Sequence, residues 1–335
     1  MLVTRGLPEA GLELLRAAAE VDVWPGVLAP PRDELLRQVA GREGILLLPS
    51  ERVDEELLDA AGPRLRVVSS FSVGYEHFDV AACLRRGVAC GHTPGVLTET
   101  NADSAWALLM AAARRISEGE RYVRAGRWAM GGIDDMLGVD VHGATLGIVG
   151  FGRIGQAVAR RAQGFRMRVL YHSRRRVATE GEAALGAAWL PFGELLAASD
   201  FVSVHVPLSA ETRHLIDAAA LARMKPSAIL VNTSRGAVVD SQALLEALEG
   251  GRIRAAALDV TDPEPLPAEH ALANRDDCLV VPHIGSATIT TRSRMAVMAA
   301  QNLLAGLRGE PLPNPVPGSM QPVPGSMQPV PGSPS

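Results

Sequence analysis

Three residues late in the chain have side chains suited to one reaction: Arg235, Glu264 and His283. A guanidinium holds a carboxylate through two parallel hydrogen bonds. An imidazole gives or takes the proton that must accompany hydride transfer at a carbonyl. A carboxylate beside it orients the ring and favours its charged form. Each residue alone has an ordinary explanation, as a surface ion pair, a loop acid before proline, and a structural histidine. All three, however, follow a glycine motif. Thr145-Leu-Gly-Ile-Val-Gly150-Phe-Gly152-Arg153-Ile154-Gly155 ends an apolar strand and opens a helical pattern, the context that gives spaced glycines meaning. Gly150 permits the tight turn, Gly152 lets backbone approach a pyrophosphate, and Gly155 lets the helix pack on the strand. A diphosphate would lie on the helix N-terminus, where open N–H groups favour an anion. The chemistry indicated is hydride transfer between a nicotinamide dinucleotide and the carbonyl of a small carboxylate.

The strand after the glycines, Met167–Tyr171, should end at the adenosine ribose. NAD enzymes usually place an acid about 20 residues after the glycines, on the ribose 2′-hydroxyl. This chain has His172-Ser173-Arg174-Arg175-Arg176 there and no carboxylate. Arginine and hydroxyl donors hold a 2′-phosphate that an acid would repel. The reading is NADP(H) preferred, through Ser173 and Arg174, with NAD(H) possible.

These residues require a scaffold of strands. Gly44–Leu48, Leu65–Ser69, Thr145–Val149, Met167–Tyr171, Phe201–Val206, Ala228–Asn232, Ala255–Asp259 and Leu279–Val281 are short, almost continuously apolar runs, as expected where both sheet faces are covered. Amphipathic stretches such as Pro8–Ala19, Ala102–Arg115, Ile154–Gln163 and Ser241–Leu248 lie between them. The alternation predicts a doubly wound α/β protein with parallel sheets. At roughly 150 residues per domain, 335 residues predict two domains. Arg235, Thr233 and Ser234 follow one such strand, Asp259 the next and His283 with Gly285 the last, where open sheets gather ligands.

Composition removes other classes. Apolar residues are 47%, and 33 basic against 37 acidic side chains give a charge of −4, without the basic surplus of a nucleic-acid binder. Three cysteines match no disulfide or metal spacing, which points to a reducing, cytoplasmic setting and no metal. The opening residues read as a short strand rather than a signal peptide. The longest apolar run, Ala105–Ala113, is far short of the ~20 residues of a membrane helix. Lys225 is the only lysine, an arginine bias read as a genome-wide codon preference. The end of the chain repeats VPGSMQP from Val316, and nine of the 23 prolines lie between Pro311 and Ser335. Residues 314–335 therefore read as a disordered tail.

With these motifs in view, the chain resembles the D-2-hydroxyacid dehydrogenase family, most nearly its glyoxylate/hydroxypyruvate reductase branch. The resemblance spans about Leu2 to Pro313. It rests on Ser70-Phe-Ser72-Val73-Gly74-Tyr-Glu-His, His92-Thr-Pro-Gly-Val-Leu-Thr98, the Gly150–Gly155 motif, Ser234-Arg235-Gly236, Asp259 through Pro265, Pro282-His283-Ile-Gly-Ser286 and Gly306–Pro311. It implies Arg235, Glu264 and His283 as the catalytic set. It implies Leu48, Ser72, Val73, Gly74, Arg235 and Ser286 around the substrate, with the Val73–Gly74 backbone on its carboxylate. Asp259 would face the nicotinamide carboxamide. Gly150, Gly152, Arg153, Ile154, Gly155, Ser173, Arg174, Arg175, Pro207, Thr212, Thr233, Ser234 and Gly285 would complete the cofactor site. The implied fold is a Rossmann cofactor lobe, 94–284, inserted into a flavodoxin-like substrate lobe, 1–93 and 285–313, with hinges near Thr93 and Ile284.

The implied activity is NAD(P)H-dependent reduction of glyoxylate or hydroxypyruvate to glycolate or D-glycerate. Homodimers are implied too, through Thr98–Leu137. One departure stands out: where the branch carries an active-site tryptophan after Arg127-Trp128, this chain reads Ala129–Gly138 with Asp134 and Asp135. Reduction of another 2-keto acid, phosphite oxidation, and a corepressor-like nucleotide-sensing role are the alternatives.

Overall fold

The structure is a computed structural model that describes residues 1–129 and 132–320. The chain divides into two compact units, Met1–Leu97 with the residues from Thr288 onward, and Thr98–Ala287. These divisions fall a few residues after the hinges expected at Thr93 and Ile284.

The first unit holds β1 (Leu2–Val3), β2 (Asp22–Val23), β3 (Gly44–Leu47), β4 (Val67–Ser70) and β5 (Ala89–Gly91). They form a parallel sheet in the order β2-β1-β3-β4-β5, the flavodoxin-like arrangement. Successive strand residues point to opposite faces, so Ile45 and Leu47 enter one core and Leu46 the other. That is why the run is apolar without alternation. Helix Ile289–Arg308 covers the second core. The Thr288 hydroxyl caps its start, and left-handed Gly309 (φ 72) ends it. The helix lies so close to β4 that a Cβ on Gly306 would stand 2.6 Å from Val67. Buried Asn302 joins this helix to the end of β5, donating to His92 O at 2.8 Å and accepting from Asn314 N at 2.9 Å.

The second unit holds β6 (Thr145–Val149), β7 (Arg168–His172), β8 (Ala187–Trp189), β9 (Phe201–Val204), β10 (Ile229–Asn232), β11 (Ala255–Leu258) and β12 (Cys278–Val280). All pair in parallel in the order β12-β11-β10-β9-β6-β7-β8. This is the Rossmann order with one strand added, and it reverses between β6 and β9, the crevice where such sheets bind ligands. Ile229 and Val231 face one core and Leu230 the other.

Two expectations need correction. β2, β5 and β8 have only two or three residues, and β5 and β8 are built mainly from small side chains, so no apolar run marked them. The tail does not leave the fold at residue 314. Pro315 bridges Gly91, Val316 N–H donates to Cys90 O at 2.8 Å, and the Val316 side chain is 1% exposed within the first unit's core. A free edge on β5 recruits a segment whose proline and glycine content reads as tail. The remaining repeats, 321–335, lie outside the described residues, as do Met130 and Gly131 of the divergent stretch.

Candidate active site

The dinucleotide cradle follows β6. Gly150 is left-handed (φ 94), and a Cβ there would meet the backbone of His205 at 2.7 Å. A Cβ on Gly155 would stand 2.2 Å from Gly150 O, whereas that of Gly152 would enter open space. Gly152 caps helix Arg153–Gly164, whose first N–H groups have no partner within the helix. Strand, turn and open helix end are thus those a pyrophosphate needs. Two buried polar atoms near the strand ends, Thr233 Oγ1 and Asn101 Oδ1, have no partner among the described residues. Both suit a polar ligand. Thr212 closes the neighbouring loop instead, donating to Pro207 O at 2.6 Å and accepting from Ser209 N at 2.8 Å.

The loop after β7 uses its three arginines unequally. Arg176 binds Glu182 through Nε at 2.7 Å and Nη2 at 2.8 Å, and Tyr171 Oη donates to the same carboxylate at 2.6 Å. These bonds pull the Glu182 carboxyl down to about 2. Ser173 Oγ donates to Arg175 O at 2.6 Å and stiffens the turn. Arg174 and Arg175 are exposed. Arg174 makes an electrostatic contact with Glu211, and neither arginine side chain hydrogen-bonds among the described residues.

The ends of β10, β11 and β12 bring the chemistry together. Asn232 folds the first turn: its Oδ1 accepts from Ser234 N and Oγ, and its Nδ2 donates to Arg235 O at 2.9 Å. Sequence reading missed this asparagine, although an amide closing a strand is a turn signal. Asp259 places both carboxylate oxygens on the next loop, accepting from Ile284 N at 2.6 Å and Gly285 N at 2.8 Å. Burial raises its pKa against those two bonds. A Cβ on Gly285 would strike Asp259 and Asn101, each at 2.7 Å. This loop presents His283, whose Nδ1 lies 2.6 Å from Glu264 Oε1. Burial pushes the Glu264 carboxyl up, but the bond and charge of His283 outweigh it and leave it below the usual range. The Arg235 charge reaches Glu264 as well. Ser286 is half-buried beside this loop.

The first unit carries the other expected substrate residues. Leu48 N–H is held by Glu51 Oε2 at 2.7 Å. Ser72, Val73 and Gly74 form a turn after β4, and the N–H groups of Val73 and Gly74 have no acceptor among the described residues. Adjacent open amides form an anion-binding concavity. Among the described residues, no group of three or more His, Cys, Asp or Glu is placed to hold a metal, and no helix is long and apolar enough to cross a membrane.

A Rossmann cradle and, on the same sheet, an arginine with a glutamate-supported histidine define a nicotinamide-dependent oxidoreductase. Residues 106–285 match the family described as D-isomer specific 2-hydroxyacid dehydrogenase, NAD binding domain. A glyoxylate reductase of Korarchaeum cryptofilum is 49% identical over 315 residues, 94% of each chain. A solved structure from Thermus thermophilus superposes with a TM-score of 0.88 at 48% identity, over 94% of this chain and 99% of that one. An NADPH-dependent glyoxylate/hydroxypyruvate reductase of Sinorhizobium meliloti, in complex with NADP and malonate, gives 0.83 at 32% identity, over 96% and 98%. The chain belongs to the D-isomer specific 2-hydroxyacid dehydrogenases.

Proposed function

We propose that this protein is a cytoplasmic, NADPH-preferring reductase of glyoxylate and hydroxypyruvate. The observation that carries the reading is the hydrogen bond of 2.6 Å between His283 and Glu264, with Arg235 beside it. The substrate follows from the names of relatives that match across nearly their whole length. The reduced nicotinamide supplies the hydride when bound. Protonated His283 delivers a proton to the carbonyl oxygen as negative charge develops there. Glu264 holds the ring through Nδ1, which leaves Nε2 to face the substrate. Arg235 binds the carboxylate and polarises the carbonyl. The open amides of Val73 and Gly74, in the first unit, are suited to a carboxylate. Arg174, Arg175 and Ser173 receive the 2′-phosphate, because no acid at the end of β7 repels it.

Exposed Ile116, Val123, Trp128, Ile133 and Leu137 support a homodimer through residues 98–137, since scattered apolar residues are ordinary but a run of them marks an interface. The test is a kcat/KM panel of glyoxylate, hydroxypyruvate, larger 2-keto acids and, in the reverse sense, phosphite, each with both cofactors. Highest turnover with glyoxylate or hydroxypyruvate and NADPH is expected. Preference for phosphite, or for NADH, contradicts the reading.

A further inference from the structure

Three consecutive carbonyls of the turn after β4 are held by hydrogen bonds. Thr93 N–H donates to Ser72 O at 2.7 Å, His92 Nδ1 to Val73 O at 2.9 Å, and Ser72 Oγ to Gly74 O at 2.6 Å. A carbonyl can only accept, so His92 keeps its proton on Nδ1. In a trans peptide the C=O and N–H of one plane point in opposite directions. Holding Ser72 O therefore aims the N–H of Val73, and holding Val73 O aims that of Gly74. These are the two N–H groups without an acceptor among the described residues.

His92 is itself tightly placed. It is buried at the end of β5, its N–H donates to Asn314 O at 3.0 Å, and its carbonyl accepts from Asn302 at 2.8 Å. Tyr75 meets its ring edge-on at 5.6 Å. We propose that His92 is a positioning residue for substrate. Its Nδ1–H locks the Val73–Gly74 peptide plane so that Gly74 N–H stands ready for the carboxylate before substrate arrives. Its effect falls on binding, because a preset amide needs no ordering when the anion docks. The inference rests on the reading that the Val73–Gly74 backbone receives the carboxylate.

The test titrates ¹⁵N-labelled full-length protein, saturated with NADPH, with oxalate, which offers a carboxylate but cannot be reduced. In the wild type the amide signals of Val73 and Gly74 should move. Two variants separate the donor from packing. His92→Leu fills the space without a donor, and His92→Asn keeps an amide N–H at the same distance from Cα as Nδ1. The oxalate Kd and the glyoxylate KM should rise about tenfold in His92→Leu, the size of one hydrogen bond. Its kcat should stay within about twofold, and His92→Asn should restore binding to within about threefold of wild type. Equal oxalate affinity in the two variants overturns the role of His92, even if the amide signals move. If the signals stay still in the wild type, the carboxylate reading fails first and the proposal with it. A wild-type ring-nitrogen spectrum with His92 protonated only on Nε2 also overturns it, without any variant.

Discussion

His283 holds Glu264 at 2.6 Å from a backbone that is left-handed, with φ 51. A histidine there is strained by about 1–3 kcal/mol. The surroundings hold it in place: His283 N–H donates to Asp259 O at 2.9 Å, and the Asp259 carboxylate takes the next two N–H groups. Asp259 thus fixes the direction of the imidazole, a role that complements the nicotinamide contact expected for it.

Glu264 should govern the acid side of the pH profile. Its pKa is depressed in the fold, so its contribution is complete above the ordinary glutamate value and is lost as pH falls through the lowered one. Glu264→Gln should therefore remove the acid limb of the kcat/KM profile. Turnover should fall on the order of 10–10²-fold, less than loss of the acid itself. Profiles of both proteins from pH 3 to 9 check this, and an unchanged acid limb assigns it to another group.

Arg235 should act mainly in binding. A charged hydrogen bond is worth about 1.5–3 kcal/mol, so Arg235→Met should raise the glyoxylate KM by roughly 10–10²-fold and also lower kcat. Arg235→Lys should not restore it, because a point charge does not reproduce the two-pronged contact. Steady-state kinetics decide. If KM and kcat are both unchanged, the carboxylate is held elsewhere.

Cofactor choice should follow the two uncommitted arginines. Replacing Arg174 and Arg175 with alanine should lower kcat/KM for NADPH by roughly 10–10²-fold and leave NADH within about threefold. Measurements at low and high salt should show the NADPH gap narrowing, since exposed charges are screened. Arg176→Ala should instead lower stability, because it leaves Glu182 without its counter-charge, with only the Tyr171 hydroxyl still bonded to it.

The docked start of the repeat segment should matter to stability. Val316→Ala removes buried methyl groups, so it should cost about 1–3 kcal/mol, read as a lower urea midpoint with an unchanged slope. No change would mean that the chain leaves the fold before residue 316.

The architecture was legible where strands were long enough to show a pattern. Thr145–Val149 was bounded correctly because the run Leu146-Gly-Ile-Val149 ends at a glycine that only a turn explains. Phe201–Val206 was overextended, since the strand ends at Val204 and His205 already belongs to the crevice beside Gly150. The order of Arg235, Glu264 and His283 was legible as chemistry. Their supports were not, because Asn232 and Asp259 act through a few hydrogen bonds to nearby backbone and hydroxyl groups, which leave no periodic trace. Val316 was misread because composition describes a segment by itself and not the strand edge that receives it.

The most direct measurement is kcat of His283→Ala with saturating glyoxylate and NADPH. General acid catalysis accounts for about 10²–10⁴-fold, so the variant should lose that much turnover while still binding NADPH with nearly wild-type affinity. A kcat close to wild type would contradict the account, because no other group placed here at the strand ends is assigned the proton.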